Sequence, residues 1–330
     1  MDTLDRTSRI DRPPVYLGID LGGTSTRAAV GLSDGSLLGA HKAPTRGEGG
    51  MEAVIAGIVE TAYQACARAG VAPDAIEGWG VAAPGPVDRR DGSVYDPPNL
   101  PGWHTVPLQA LLEERTGKRI RVGNDANLAA VAEWRHGAAV GAADVVYLTI
   151  STGVGGGIIA GGRLLVGRRG AAGELGHTTV DLNGPPCRCG NRGDLESLCS
   201  GTAIARMARE TLEADGETSL RALSTDVTAV DVVAAARAGD VVAGDIIARA
   251  AAALGAGVVN IVNIFNPEVV VIGGGVAQAG PLLFEPVRTS VAAHALRLAA
   301  TDVRIAPAHF GDNAGLVGAV SLAAGALELT

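Results

Sequence analysis

A strand-like apolar run, Val145 to Ile150, enters Thr152-Gly153-Val154-Gly155-Gly156-Gly157 and leaves as a second apolar run, Ile158 to Ala160. Four glycines in five positions exceed what a turn between two strands requires, which is about one or two. Such a loop must bring bare backbone close to something, because glycine has no Cβ to stand in the way. An earlier version of the same arrangement precedes it. Val15 to Ile19 runs into Asp20-Leu21-Gly22-Gly23-Thr24 and returns as Ala28 to Val30, a hairpin pattern. Tyr16-Leu17-Gly18-Ile19-Asp20 and Tyr147-Leu148-Thr149-Ile150-Ser151 each deliver an oxygen-bearing side chain into a glycine turn. A unit repeated in this way points to two α/β domains with a cleft between them.

The other segments fit that frame. Leu37 to His41 reads as a third strand. Met51 to Ala69 has apolar residues at helical spacing and ends at Gly70, a C-terminal cap. Trp79 to Ala82 and Ile120 to Val122 read as strands, Leu108 to Arg115 and Asn127 to Arg135 as helices. The Pro/Gly-rich stretch Pro84 to Trp103 is too long for a mere connector and is expected to be a binding loop. Further on, Val232 to Ala238 and Ile246 to Leu254 read as helices, Val269 to Ile272 as a strand ending in Gly273-Gly274-Gly275, and Asn313 to Ala324 as the closing helix. The expected division is a disordered tail over residues 1–14, a smaller domain of residues 15–125 joined by the C-terminal helix 313–330, and a larger domain of residues 126–312.

Composition narrows the function classes. Glycine occupies 47 of 330 positions, about twice the usual ~7%, as tight loops around a ligand require. A net charge of −8 argues against a nucleic-acid partner, which calls for a basic stripe. The first fourteen residues are polar and charged, unlike a secretory signal. The longest apolar candidate for a membrane span, Ala250 to Ile272, is interrupted by Asn260, Asn263, Asn266, Pro267 and Glu268, so no membrane partner is expected. Four cysteines, two of them only two residues apart, suit a reducing compartment, and the cytoplasm is the expected location.

The candidate chemistry lies in the turns. Phosphate groups need backbone N–H donors that approach closely, and a neighbouring carboxylate such as Asp20 can hold Mg²⁺ through water, with Thr24 offering a hydroxyl. The alternative for Gly22-Gly23 is an ordinary hairpin turn. The second loop, with Thr152, Gly153 and Gly155, is best explained by backbone pressed against β- and γ-phosphates; Gly273, Gly274 and Gly275 form a third turn, which tight helix packing would also explain. Asn124 and Asp125 stand at a strand end before a helix. Both are good N-caps, yet an Asp there can take the proton of a hydroxyl attacking phosphorus while Asn124 orients that hydroxyl. His177 with Cys187 and Cys189 suits zinc, against the alternative of two unrelated cysteines in a loop. Cys66 and Cys199 are expected to be packing residues.

Together these residues resemble the ROK family (repressors, open reading frames and kinases), most closely its bacterial glucokinase branch, from about Tyr16 to the C-terminal helix. The resemblance implies an actin-like ATPase (ribonuclease H-like) duplicated fold and ATP-dependent phosphorylation of a hexose, with glucose the best guess. By that likeness Asp20 to Thr24 is the phosphate-one loop, Thr152 to Gly157 the phosphate-two loop, and Gly273 to Gly275 an adenosine contact. It makes Asp125 the general base and Asn124 its partner on the sugar's 4- and 6-hydroxyls. Glu174, His177 and Glu196 would bind the sugar from one side, Gly85 and Asn99 from the other. His177 would also ligate zinc, its two ring nitrogens permitting both tasks. The family pattern C-x-C-G-x-x-G-C-x-E has a third cysteine where this chain has Asp194. His177, Cys187, Cys189 and Asp194 remain a possible set, with a harder oxygen expected to weaken the site; Cys199 is displaced by five residues. A homodimer or homotetramer is expected.

Two other classes compete. A sugar-sensing transcription regulator of the same family carries an N-terminal helix-turn-helix, for which the sequence ahead of Asp20 leaves no room, and the acidic charge disfavours DNA. A chaperone-type ATPase of the same fold needs a peptide-binding domain beyond the nucleotide core. Other hexoses (N-acetylmannosamine, N-acetylglucosamine, mannose, fructose, allose) and polyphosphate as donor stay open.

Overall fold

The computed structural model describes residues 13–97, 99–213, 217–223 and 226–325. The expected tail lies outside these except at Pro13 and Pro14, as do residues 326–330 of the expected closing helix.

The chain opens with β1 (Val15–Leu21), β2 (Ser25–Leu32), β3 (Leu37–Pro44) and α1 (Gly50–Ala69). Then come β4 (Ile76–Ala83), the short β5 (Val94–Tyr95) and β6 (Thr105–Val106), α2 (Leu108–Thr116), β7 (Ile120–Asn124) and α3 (Asp125–His136). The second half begins with β8 (Val145–Ile150), β9 (Val154–Ala160) and β10 (Arg163–Leu164), followed by α4 (Leu195–Cys199), α5 (Gly201–Glu213), α6 (Ala229–Arg237) and α7 (Val241–Phe265). It ends with β11 (Val269–Gly273), α8 (Pro281–His294), α9 (Arg297–Asp302), β12 (Arg304–Pro307) and α10 (Ala314–Ala323).

Two five-stranded sheets result, ordered β3-β2-β1-β4-β7 and β10-β9-β8-β11-β12. In each, an antiparallel hairpin (β1–β2, β8–β9) is extended on its other side by parallel strands. The repetition seen in two glycine turns therefore extends to the whole order of both sheets. The sequence pattern did not disclose α5, α8, α9 or β12, which belong to the second half.

Each sheet has its own core. Leu17, Ile19, Trp79, Val81 and Leu108 are buried with the apolar face of α1, whose Val54, Ile55, Ile58, Ala62 and Ala65 recur at helical spacing. Val146, Leu148, Ile150 and Val270 are buried with α4 to α8. A third cluster joins the sheets: Leu128 and Val131 of α3, Ala319 and Leu322 of α10, Ala82, Tyr147 and Val271. The helices α3 and α10 can meet because Gly318 has no Cβ; one built there would stand 1.9 Å from the Leu128 carbonyl oxygen. A Cβ on Gly80 would likewise reach 1.9 Å from the Ala319 carbonyl, so α10 lies directly on the first sheet.

One expectation needs correction. The run taken to start at Ala250 belongs to α7, whose 25 residues from Val241 are by length and composition apolar enough to cross a membrane. Half of its most apolar stretch is buried, and it packs against α4, α5, α6 and α8. Its Asn260 and Asn263 do not break the helix: both are exposed, while Val258, Val259, Ile261 and Val262 beside them are buried.

Candidate active site

The β1–β2 turn closes through the Gly22 N–H donating to the Ser25 carbonyl at 3.0 Å, while the Thr45 hydroxyl donates to the Gly22 carbonyl at 2.6 Å. Thr24 is exposed and Gly22 and Gly23 are half-buried. A Cβ on Gly23 would stand 2.3 Å from the Asn99 Cβ. The turn and the loop carrying exposed Asn99 are thus in direct contact. Asp20 is directly opposite Arg27 in the hairpin register and forms an ion pair with its guanidinium. Arg27 does not stand out in the sequence, although its equal spacing with Asp20 about the turn is a usable signal.

The β8–β9 turn is held from the other side. Ser151 N–H donates to the Gly153 carbonyl at 2.8 Å, and the Thr202 hydroxyl at the start of α5 donates to the Thr152 carbonyl at 2.8 Å. Glu196 accepts the Val154 N–H at 2.8 Å, and a Cβ on Gly153 would lie 2.4 Å from its carboxyl oxygen. Glu196 therefore supports this glycine turn from below, a contact the sequence did not disclose. The third turn lies beside it: Gly274 has φ +86° and sits against the Ile150 carbonyl, while Gly273 faces the Tyr147 hydroxyl and Gly275 stands in open space.

Asn124 is the N-cap of α3: its Oδ1 accepts the Asn127 N–H at 2.9 Å. Its amide nitrogen donates to the Gly85 carbonyl at 3.0 Å and to Asp125 Oδ1 at 3.2 Å. Gly85 enters through its backbone, at φ +82°. Asp125 Oδ1 also takes the Ala126 N–H at 2.8 Å. The Asp125 carboxyl is pushed up to about 7, first by burial and then by the nearby charges of Asp20 and Glu174, against the pull of the Ala126 N–H. A Cβ on Gly155 would stand 3.0 Å from the Ala126 Cβ, so the β8–β9 turn passes directly by the start of α3. The structure thus brings together Asp125, the Asp20 turn and the β8–β9 turn, from three separate stretches of chain. Glu174, although exposed at its rim, is raised by partial burial and by Glu196, with His177 opposing.

His177, Cys187, Cys189 and Asp194 form one cluster, with a donor atom of each within 4.8 Å of every other. His177 Nδ1 lies 3.2 Å from Asp194 Oδ2, Cys189 Sγ 3.5 Å from Asp194 Oδ2, and Cys187 Sγ 3.8 Å from His177 Nδ1. A tetrahedral zinc with its usual bond lengths spaces N···O by about 3.3 Å and S···O by about 3.5 Å, so these residues fit the ion. Asp194 also caps α4, its Oδ1 accepting the Ser197 N–H at 2.9 Å. Cys199 is fully buried on α4 and outside the cluster, and Cys66 is buried on α1.

Repeated sheets joined by crossing helices, with a carboxyl group set between two glycine turns, define an actin-like ATPase fold. Within that class the chain belongs to the ROK family, whose sequence pattern matches residues 16–326. It is 38% identical over 311 residues to a glucokinase of Thermotoga maritima, covering 93% of this chain and 96% of the relative. A Streptomyces griseus ROK family glucokinase, solved with glucose and AMPPNP, superposes with a TM-score of 0.83 at 34% identity, covering 94% and 99% of the two chains. A ROK family transcriptional regulator, homologous to the MLC protein of E. coli, reaches a TM-score of 0.81 at 28% identity, over 93% of this chain and 76% of the other.

Proposed function

We propose that this chain transfers the terminal phosphoryl group of ATP to a hexose, with glucose as the favoured substrate and its 6-hydroxyl as acceptor. The observation that carries this reading is Asp125, a carboxyl poised near neutrality and placed between two glycine turns. A general base is most effective when its pKa lies near the working pH. Asn124 and the Ala126 N–H fix Asp125 Oδ1, which presents Oδ2 to the substrate hydroxyl. That oxygen attacks phosphorus as its proton passes to Oδ2, and the bond to the nucleotide's leaving oxygen breaks. The similarity to the two glucokinases supports the choice of sugar and donor.

The remaining roles complete this reading. The N–H groups of Gly22, Gly23 and Thr24, and of Thr152, Gly153 and Gly155, would cradle the phosphates, and Gly273 to Gly275 would meet the adenosine. Mg²⁺ supplies charge neutralisation between the phosphates, and Asp20 would hold it through water with the oxygen that Arg27 leaves unused. Glu174, Glu196 and His177 would contact the sugar opposite Gly85 and Asn99, with Asn124 orienting the hydroxyl chiefly through Asp125. Zinc held by His177 Nδ1, Cys187, Cys189 and Asp194 would fix the imidazole so that Nε2 faces the sugar. The lobe of residues 15–125 with the C-terminal helix would close on residues 126–312 and exclude water, which otherwise competes as acceptor. The four free thiols suit a reducing cytoplasm, and a homodimer or homotetramer is the expected assembly.

ATP consumption measured across a hexose panel tests this. Turnover that requires a sugar, fastest with glucose, is expected. Sugar binding without any ATP consumption would instead favour a sensor, the occupation of the related regulator.

A further inference from the structure

The chain passes between its two sheets twice, outward through α3 and back through the segment from β12 into α10. Glu133, on the last turn of α3, is completely buried. Its Oε1 accepts the Phe310 N–H at 2.9 Å, and its Oε2 accepts the His309 N–H at 3.0 Å and the Ala138 N–H at 2.9 Å. One carboxyl group is thereby shared by both crossings. A carboxyl satisfied by three main-chain donors from two segments holds them in one relative position, and removing it leaves buried N–H groups unpaired.

The second crossing continues directly into the site. After Phe310 comes a single tight turn, Gly311–Asn313, and then the first residues of α10. A Cβ on Gly315 would stand 3.0 Å from the carboxyl carbon and Oδ2 of Asp20. The start of α10 is therefore packed on the carboxylate assigned to the nucleotide side.

We infer that Glu133 is a positioning residue: by clasping the two crossings it sets the start of α10 against Asp20, and through Asp20 the geometry of the phosphate-binding turn. This rests on the kinase reading above. Glu133→Gln keeps the size but turns an NH₂ towards a main-chain donor. Its kcat is expected to fall about tenfold with the sugar KM within about twofold of wild type. Hydrogen exchange is expected to quicken both in residues 305–313 and in residues 17–25. Glu133→Asp, which retains the carboxyl, is expected to recover part of kcat and serves as the test variant if the glutamine form does not fold. A lowered Tm with wild-type kcat, and faster exchange confined to residues 305–313, would reduce Glu133 to a structural clasp and overturn the inference. Wild-type protein inactive on every hexose would sink the kinase reading instead; the exchange result still decides whether Glu133 controls the Asp20 turn.

Discussion

Asp125 and Asp194 each stand at the start of a helix, α3 and α4, yet their surroundings push them in opposite directions. Asp194 is fully buried, and burial works to raise it, but hydrogen bonds from Cys187, Ser197 and His177 outweigh this and hold it below the usual carboxylate range. At Asp125 burial is again the first cause, but fewer donors oppose it and the negative charges of Asp20 and Glu174 add to it; its carboxyl rises to about 7. Burial alone therefore does not decide which carboxyl keeps a proton. The count of donors against like charges does. One arrangement suits holding a cation, the other suits taking up a proton.

The largest expected effect is on the proton acceptor. Asp125→Asn should lower kcat by about 10³-fold or more, with ATP affinity within about twofold by titration calorimetry. Loss of ATP binding with turnover retained would reverse the roles of the two regions. Next, Asp194→Ala removes a helix cap worth about 1 kcal/mol together with one corner of the cluster, so Tm should fall and zinc, about one per chain by elemental analysis, should be lost. Asp194→Cys should retain zinc while forfeiting the cap. A fully active, zinc-free wild-type preparation would remove the metal from this account.

The smallest effects are in pH dependence. The Asp125 carboxyl has an ordinary value of 3.8 and a folded value near 7, so between those pH values the folded state binds the extra proton. Its contribution to stability is therefore greatest at low pH and declines as pH rises towards 7. Activity runs the other way: kcat/KM should fall about tenfold per pH unit below 7, as the base becomes protonated. The Asp125→Asn protein should lack this stability slope and show a higher Tm than wild type near pH 8. Equal slopes in the two proteins would assign the titration to another group.

Much of this was legible in the sequence because it depends on neighbours in the chain. A glycine turn between two apolar runs declares itself, and so does an Asn-Asp pair ahead of a helix; Asn124 proved to be the N-cap, with its amide turned to Gly85 and Asp125. His177, Cys187 and Cys189 were also visible together, since they lie close along one loop, and the family resemblance added Asp194 to them. Glu196 shows the limit: its support of the Gly153 turn joins segments distant in sequence. Glu133 shows it further, because a glutamate on an Ala-rich helix reads as an exposed residue until its three donors are seen.

By itself, the order of residues determined where bare backbone would be offered and where helices would begin, since steric freedom and capping act over a few positions. The tertiary structure decided which carboxyl keeps its proton, which glutamate backs which turn, and how the two crossings are fastened. Those properties arise from charges, donors and contacts acting through space between segments that no local pattern brings together.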